Sequence, residues 1–220
     1  MQKWDRIYKE YKTYGAPLDH ISEMGKIFKE RRVKNILDLG CGSAKHIAYL
    51  AKQGFNLYGI DISEEAIKIG RKMLKENKLE ADLKVGSMHE KLPYKSGFFD
   101  ALISLRVLNH GETGQIDETI REIERILKPG GIIFITVQKV FAPQKDANIK
   151  RINGMPVRMI NAQVYELLEG PEKGVAHFIF NKRILREKFK KFKIKELWID
   201  YGKEKWQRYY CLIGKLKVHP

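Results

Sequence analysis

Cysteine is almost missing from this 220-residue chain: only Cys41 and Cys211 are present, in distant segments. Two such thiols build no disulfide scaffold, suit a reducing cytoplasm and show no metal-ligand spacing, so no metal is expected. No apolar run reaches about 18 residues, so no membrane-spanning helix is expected. The opening residues Met1-Gln2-Lys3-Trp4-Asp5 are polar and charged, unlike a secretory leader. Repeats, low-complexity tracts and linkers are absent too, and one domain over 1–220 is expected. Glutamine and threonine are scarce while lysine, glutamate and 25 isoleucines abound, a bias of hyperthermophile proteins.

Acidic charge is also short, leaving a formal net charge of +15, with +5 on residues 1–142 and +10 on 143–220. Between Lys182 and Lys195 there are eight bases and one acid. Such a stretch suits nucleic acid or, equally, a solvated helix face. Phe189 and Phe192 fall at helical spacing there and read as core rather than as stacking platforms.

What is present is concentrated in Asp38-Leu39-Gly40-Cys41-Gly42-Ser43-Ala44-Lys45, followed by Asp61. An apolar run, Val33 to Leu39, reads as a strand buried on both faces. Gly40 and Gly42 permit a sharp turn and close approach of a ligand to the main chain. A helix from Ala44 to Gln53 follows, and Asp61 ends the next strand with a carboxylate placed for the two hydroxyls of a ribose. Dinucleotide sites want G-x-G-x-x-G, but the sixth position from Gly40 is Lys45. Asp38 would also repel a pyrophosphate at close range. It suits a ligand with an ammonium group, a ribose and no phosphate, and S-adenosylmethionine carries that set.

With these motifs the chain resembles the class I S-adenosylmethionine-dependent methyltransferases, in their ubiquinone/menaquinone-type small-molecule branch. The likeness runs in order through Gly86-Ser87-Met88, Leu92-Pro93-Tyr94, Phe98 to Ser104, Val107-Leu108-Asn109-His110 and Leu127-Lys128-Pro129-Gly130-Gly131. It covers roughly Val33 to Val137. Two positions depart from the pattern: Ala44 stands at the usual third glycine, where little effect is expected, and Ser87 replaces a common Asp. The resemblance implies that Asp38 and Gly40 face the methionine ammonium and that Gly40, Cys41 and Gly42 line the ligand by main chain. It also implies that Asp61 grips the ribose, Ile62 packs on adenine, Ser87 and Met88 edge the base, and Leu105 contacts the methionine part.

The expected fold is α/β: a Rossmann-like open sheet of about seven strands, mostly parallel with one antiparallel strand, helices on both faces, and a lid insertion after strand five. The resemblance places the antiparallel last strand next to the fifth. Residues 1–32 read as two helices split at Gly15-Ala16-Pro17, forming a flap in which Tyr8, Tyr11 and Tyr14 cover the cofactor or pack in the core. Residues 33–137 read as the cofactor-binding core, and 181–220 as a closing helix and two strands. From Gln138 to Phe180 the periodicity dissolves, and a long insertion at the sheet's carboxyl edge reads as a substrate lid.

The expected activity is in-line methyl transfer to a small-molecule acceptor, by a monomer or homodimer. A tRNA methyltransferase using the basic last third, a non-catalytic adenosylmethionine-binding regulatory module and, more distantly, a nicotinamide dehydrogenase are the alternatives. On the acceptor side His110, Arg106, His177 and Tyr11 are the catalytic candidates: His110 as a base or a turn cap, Arg106 as an anchor for an acidic group or an ordinary ion pair. His177 lies in a stretch common to small-molecule members. Trp206, Arg208, Tyr209 and Tyr210 alternate on the final strand, so one face at most reaches a site. The absence of N/D-P-P-Y/F, of Pro-Cys and of an acid cluster argues against amino-group methylation by that motif, covalent cytosine chemistry and magnesium-dependent catechol chemistry.

Overall fold

Residues Asn35–Leu39 form β1, and their side chains alternate between two cores, Ile36 entering one and Leu37 and Leu39 the other. Burial on both faces is what a near-continuous apolar strand requires of its surroundings. The structure, a computed structural model, describes residues 3–11, 20–140, 144–146, 149–202 and 207–218. Ahead of β1 lie α1 (Lys3–Tyr11) and α2 (His20–Glu30); their split at Gly15-Ala16-Pro17, and Tyr14, lie outside the described residues. Downstream come α3 (Lys45–Ala51), β2 (Asn56–Asp61), α4 (Glu64–Glu76), β3 (Asp82–Val85), β4 (Phe99–Leu105), α5 (Thr113–Ile126) and β5 (Leu127–Gln138). Five short strands follow: β6 (Gln144–Asp146), β7 (Ile149–Ile152), β8 (Met155–Met159), β9 (Val164–Leu167) and β10 (Ala176–Phe178). The remaining elements are α6 (Lys182–Lys188), β11 (Phe192–Tyr201) and β12 (Arg208–Leu216).

The main sheet has seven strands in the order β11-β12-β5-β4-β1-β2-β3, with β12 antiparallel to both its neighbours and the other pairs parallel. Ile116, Ile120 and Ile123 of α5 and Leu185 of α6 cover one face, while Ile21 of α2, Ile47 of α3 and Ile67 of α4 cover the other. Each is a helix with an apolar stripe facing the sheet. Ser63 caps α4 by accepting a 3.1 Å bond from Ala66 N, with Glu64 and Glu65 in the first turn where the helix dipole favours acids. Phe189 and Phe192 are buried in the first core, as their spacing suggests. Beside them Lys188 pairs with Asp117, and Lys191 with Glu124 at 2.8 Å, so part of the basic last third is neutralised by α5.

The stretch after β5 is not irregular. β6 to β10 form a second, antiparallel sheet in the order β10-β9-β8-β7-β6. Its β7–β8 turn is Asn153-Gly154, both at positive φ (51° and 82°), a two-residue hairpin turn whose twist suits the flanking strands. That dipeptide stands in the sequence and signals the hairpin. Strands of three to five residues are too short to show an alternation of their own. β10 joins the small sheet to the loop after β4: Phe178 N donates to Asn109 O (2.7 Å) and Gly111 N to Ala176 O (2.8 Å).

Candidate active site

The carboxyl ends of β1 and β2 meet at one turn. Gly40 N (2.8 Å) and Cys41 N (3.1 Å) both donate to Ile60 O, and Gly42 N donates to the Asp61 carboxylate at 2.8 Å. The other Asp61 oxygen accepts from Ser63 N at 2.9 Å. Gly40 and Gly42 sit at φ 76° and 52°, and a Cβ on Gly40 would run into Val107, one on Gly42 into the Tyr8 hydroxyl. Only bare backbone fits the bend. Ala44 occupies φ 62° as well, ahead of a shortened α3. Alanine is small enough for the tight packing beside Gly70, but its Cβ in the left-handed region costs about 1 kcal/mol.

A cavity of about 490 Å³ opens over this turn. Gly40, Cys41, Gly42, Asp61, Ile62, Ser87, Met88 and Leu105 all line it, joined by Arg106 and His110. Asp38 does not line it. Its carboxylate lies beneath the turn, 1% exposed, with Oδ2 unpartnered and 3.7 Å from His46 Nδ1. Direct contact between Asp38 and a ligand is therefore replaced by a buried negative charge acting from behind the main chain. Ser87 Oγ already accepts from His89 N at 3.1 Å. Helix α1 roofs the cavity with Trp4, Ile7 and Tyr8. The Tyr11 side chain and Trp206 lie outside the described residues.

Electrostatics follow the burial. Burial lifts the Asp61 carboxyl to about 6, against the two backbone bonds that favour its charge. Burial, then the neighbouring charge of Arg106, lowers Lys45 below the usual ammonium range. Cys41 is pushed well up by burial and then by Asp38 and Asp61, which leaves it an unreactive thiol. Arg106 follows β4 at φ 63°; its guanidinium lies 4.0 Å from the Tyr209 ring centroid, and Nε has no partner.

The small sheet supplies a group that sequence reasoning did not single out. Glu172, in the β9–β10 turn, lines the same cavity, with Oε2 2.8 Å from His177 Nε2 and 3.6 Å from His110 Nε2. His177 itself is 2% exposed and reaches the cavity only through Glu172. Burial alone would raise Glu172, but both histidines outweigh it and hold the carboxyl below the usual range. Burial lowers His110, with Glu172 opposing. The chain separates Glu172 from His110 by 62 positions, so only the Val107-Leu108-Asn109-His110 stretch and the lid histidine hinted at the pair.

These residues fit a ligand with an ammonium, a ribose and a planar base. The glycine bend admits no side chain, Asp61 retains free lone pairs for hydroxyl donors, and Asp38 lies close behind the turn beside His46. A diphosphate at the bend would meet the Asp61 carboxylate instead.

Residues 37–135 match a family described as "Methyltransferase domain". A ubiquinone biosynthesis O-methyltransferase of Pelagibacter ubique is 35% identical over 108 residues, 48% of this chain and 43% of that protein. Norajmaline N-methyltransferase of Rauvolfia serpentina is 34% identical over 108 residues, 48% of this chain and 36% of that one. The chain thus spans less than half the length of these curated relatives. In fold it is similar to the Burkholderia thailandensis 1,6-didemethyltoxoflavin-N1-methyltransferase, solved with S-adenosylhomocysteine (TM-score 0.72, 14% identity, covering 98% of this chain and 86% of that one).

Proposed function

We propose that this chain, which carries a class I S-adenosylmethionine-dependent methyltransferase domain, transfers a methyl group to a small-molecule acceptor. One observation carries the reading: a single cavity joins the Gly40–Gly42 bend and Asp61 to His110 and Glu172. The sulfonium of the bound cofactor supplies an already activated methyl group. The chain's work is position and exclusion of water, a contribution of about 7–11 kcal/mol when alignment is good.

Asp61 takes the ribose hydroxyls, Ile62 packs on the adenine, and Ser87 and Met88 edge it. Asp38 and the main chain at Gly40 draw the ammonium, while Leu105 packs on the methionine part. Arg106, stacked on Tyr209 and lining the cavity, anchors a carboxylate or other acidic group. Residues 3–11 act as a flap and the small sheet as a lid. Lys3 bonds the Lys173 carbonyl in the β9–β10 turn, which joins the two covers over the cavity. The buried thiols support a reducing, cytoplasmic setting, and no helix among the described residues is long and apolar enough to cross a membrane.

The relatives named above methylate oxygen in one case and nitrogen in others, and their names all specify small molecules. Incubation with methyl-labelled S-adenosylmethionine and a panel of hydroxy-aromatic, amine and carboxylate acceptors tests the reading. Label is expected on a small molecule. Stoichiometric cofactor binding with no label on any acceptor would favour the regulatory module, and label on tRNA the nucleic-acid alternative. A preference for NADH over S-adenosylmethionine would remove the proposal.

A further inference from the structure

We infer that His110, Glu172 and His177 form a binding site for a divalent transition metal of the zinc class, at the acceptor end of the cavity. Their ligand atoms all lie within 4.8 Å of one another. The spacings to Glu172 Oε2 are 2.8 Å for His177 Nε2 and 3.6 Å for His110 Nε2. Zinc bonds of about 2.0 Å at tetrahedral angles put ligand atoms about 3.3 Å apart, a value these two spacings bracket.

The hydrogen bonding behind the rings points the same way. His177 Nδ1 is 2.9 Å from the Val175 carbonyl, which takes its N–H and turns the Nε2 lone pair of the neutral ring toward Glu172. One proton bridges the 2.8 Å contact and leaves the 3.6 Å contact unbridged, whereas one metal ion serves all three donors. The rings are also fixed in place: Tyr165 stacks on His177 (centroids 5.1 Å, 15°), and Trp4 lies on His110 (4.8 Å). Such walls hold a site to the tolerance a metal demands.

Two imidazoles and one carboxylate match zinc or its neighbours better than calcium or magnesium, which prefer all-oxygen shells. Because His110 and Glu172 line the cavity, the fourth position opens toward it. Water or an acceptor oxygen fills that position; the acceptor's part in this rests on the methyl-transfer reading, while the metal site does not. A second grouping, His20, Asp200 and Cys211, is the one to be distinguished from it.

The test is titration of the chelator-stripped full chain with Co(II) alone, read by its visible d–d absorption, with Zn(II) as displacing ion. One equivalent is expected, without a thiolate charge-transfer band and unchanged in Cys211→Ser. Loss of a ligand in Glu172→Gln or His177→Ala should weaken binding by at least about 100-fold. Circular dichroism checks that each variant is folded, and the isosteric Glu172→Gln serves if His177→Ala is not. No Co(II) or Zn(II) binding by the folded wild type overturns the inference. So does binding that Cys211→Ser abolishes and Glu172→Gln leaves intact. Neither result depends on whether methyl transfer is detected.

Discussion

The Ser63 hydroxyl donates a 2.7 Å hydrogen bond to the Asp5 carboxylate, tying the helix that roofs the cavity to the cap of α4. Glu65 N adds a 3.2 Å bond to the same Asp5 oxygen. Burial works against the Asp5 charge, yet Ser63 and the backbone bonds outweigh it and lower its pKa. Removing the tie in Asp5→Ala should release α1, with a stability loss of about 0.5–1.5 kcal/mol. Faster proteolysis within residues 3–11 and weaker cofactor binding are the expected readouts. An unchanged cleavage rate would mean the roof is held by packing alone.

Asp61 should dominate ribose recognition. Asp61→Ala is expected to weaken S-adenosylmethionine binding by about 1–3 kcal/mol through lost charge-assisted bonds. Calorimetric titration measures this, and a wild-type affinity in the variant would misassign the residue.

The same carboxyl predicts a pH profile. With its pKa raised to about 6, Asp61 is ionised at neutral pH and protonates as pH falls through that value. The charged form accepts ribose hydroxyls, so affinity should be flat above about pH 7 and fall below 6, approaching tenfold per pH unit. For stability the sign is opposite: a raised acid favours the folded state at low pH, and this contribution is lost as pH rises from the unfolded value toward 6. Cofactor binding that stays constant down to pH 5 would contradict the assignment.

Ala44→Gly should stabilise the fold by about 0.5–1 kcal/mol, because glycine adopts φ 62° without a Cβ penalty. Denaturant unfolding decides the sign. The neighbouring change Gly70→Ala should act in the other direction, since its Cβ would meet that of Ala44 at 3.0 Å.

The basic last third should not bind RNA tightly at physiological salt, because Lys188 and Lys191 already face Asp117 and Glu124. A tRNA gel shift that persists at physiological salt would show otherwise.

The glycine bend, Asp61 and the strand–helix alternation were legible because each is written in neighbouring residues. A positive φ asks for glycine where it occurs, and a strand buried on both faces shows as one apolar run. The small antiparallel sheet was not read, although Asn153-Gly154 announces its tightest turn. Its strands are too short for their period to stand above the surrounding charge. Asp38 is expected to face the ligand, but it lies near the end of β1 beneath the turn, a depth set by packing that no local pattern carries.

The amino-acid order alone thus determined the open sheet, its nucleoside-type turn and the acid at the end of the second strand, since local backbone geometry and burial periodicity suffice for these. Only the tertiary structure decided that Glu172 lies between His110 and His177 and that α1 closes over Gly42. Those meetings depend on backbone bonds between the β4 loop and β10 and on the Asp5–Ser63 tie. Contacts between residues far apart in the chain are set by how the elements dock, a property that no short stretch of sequence contains.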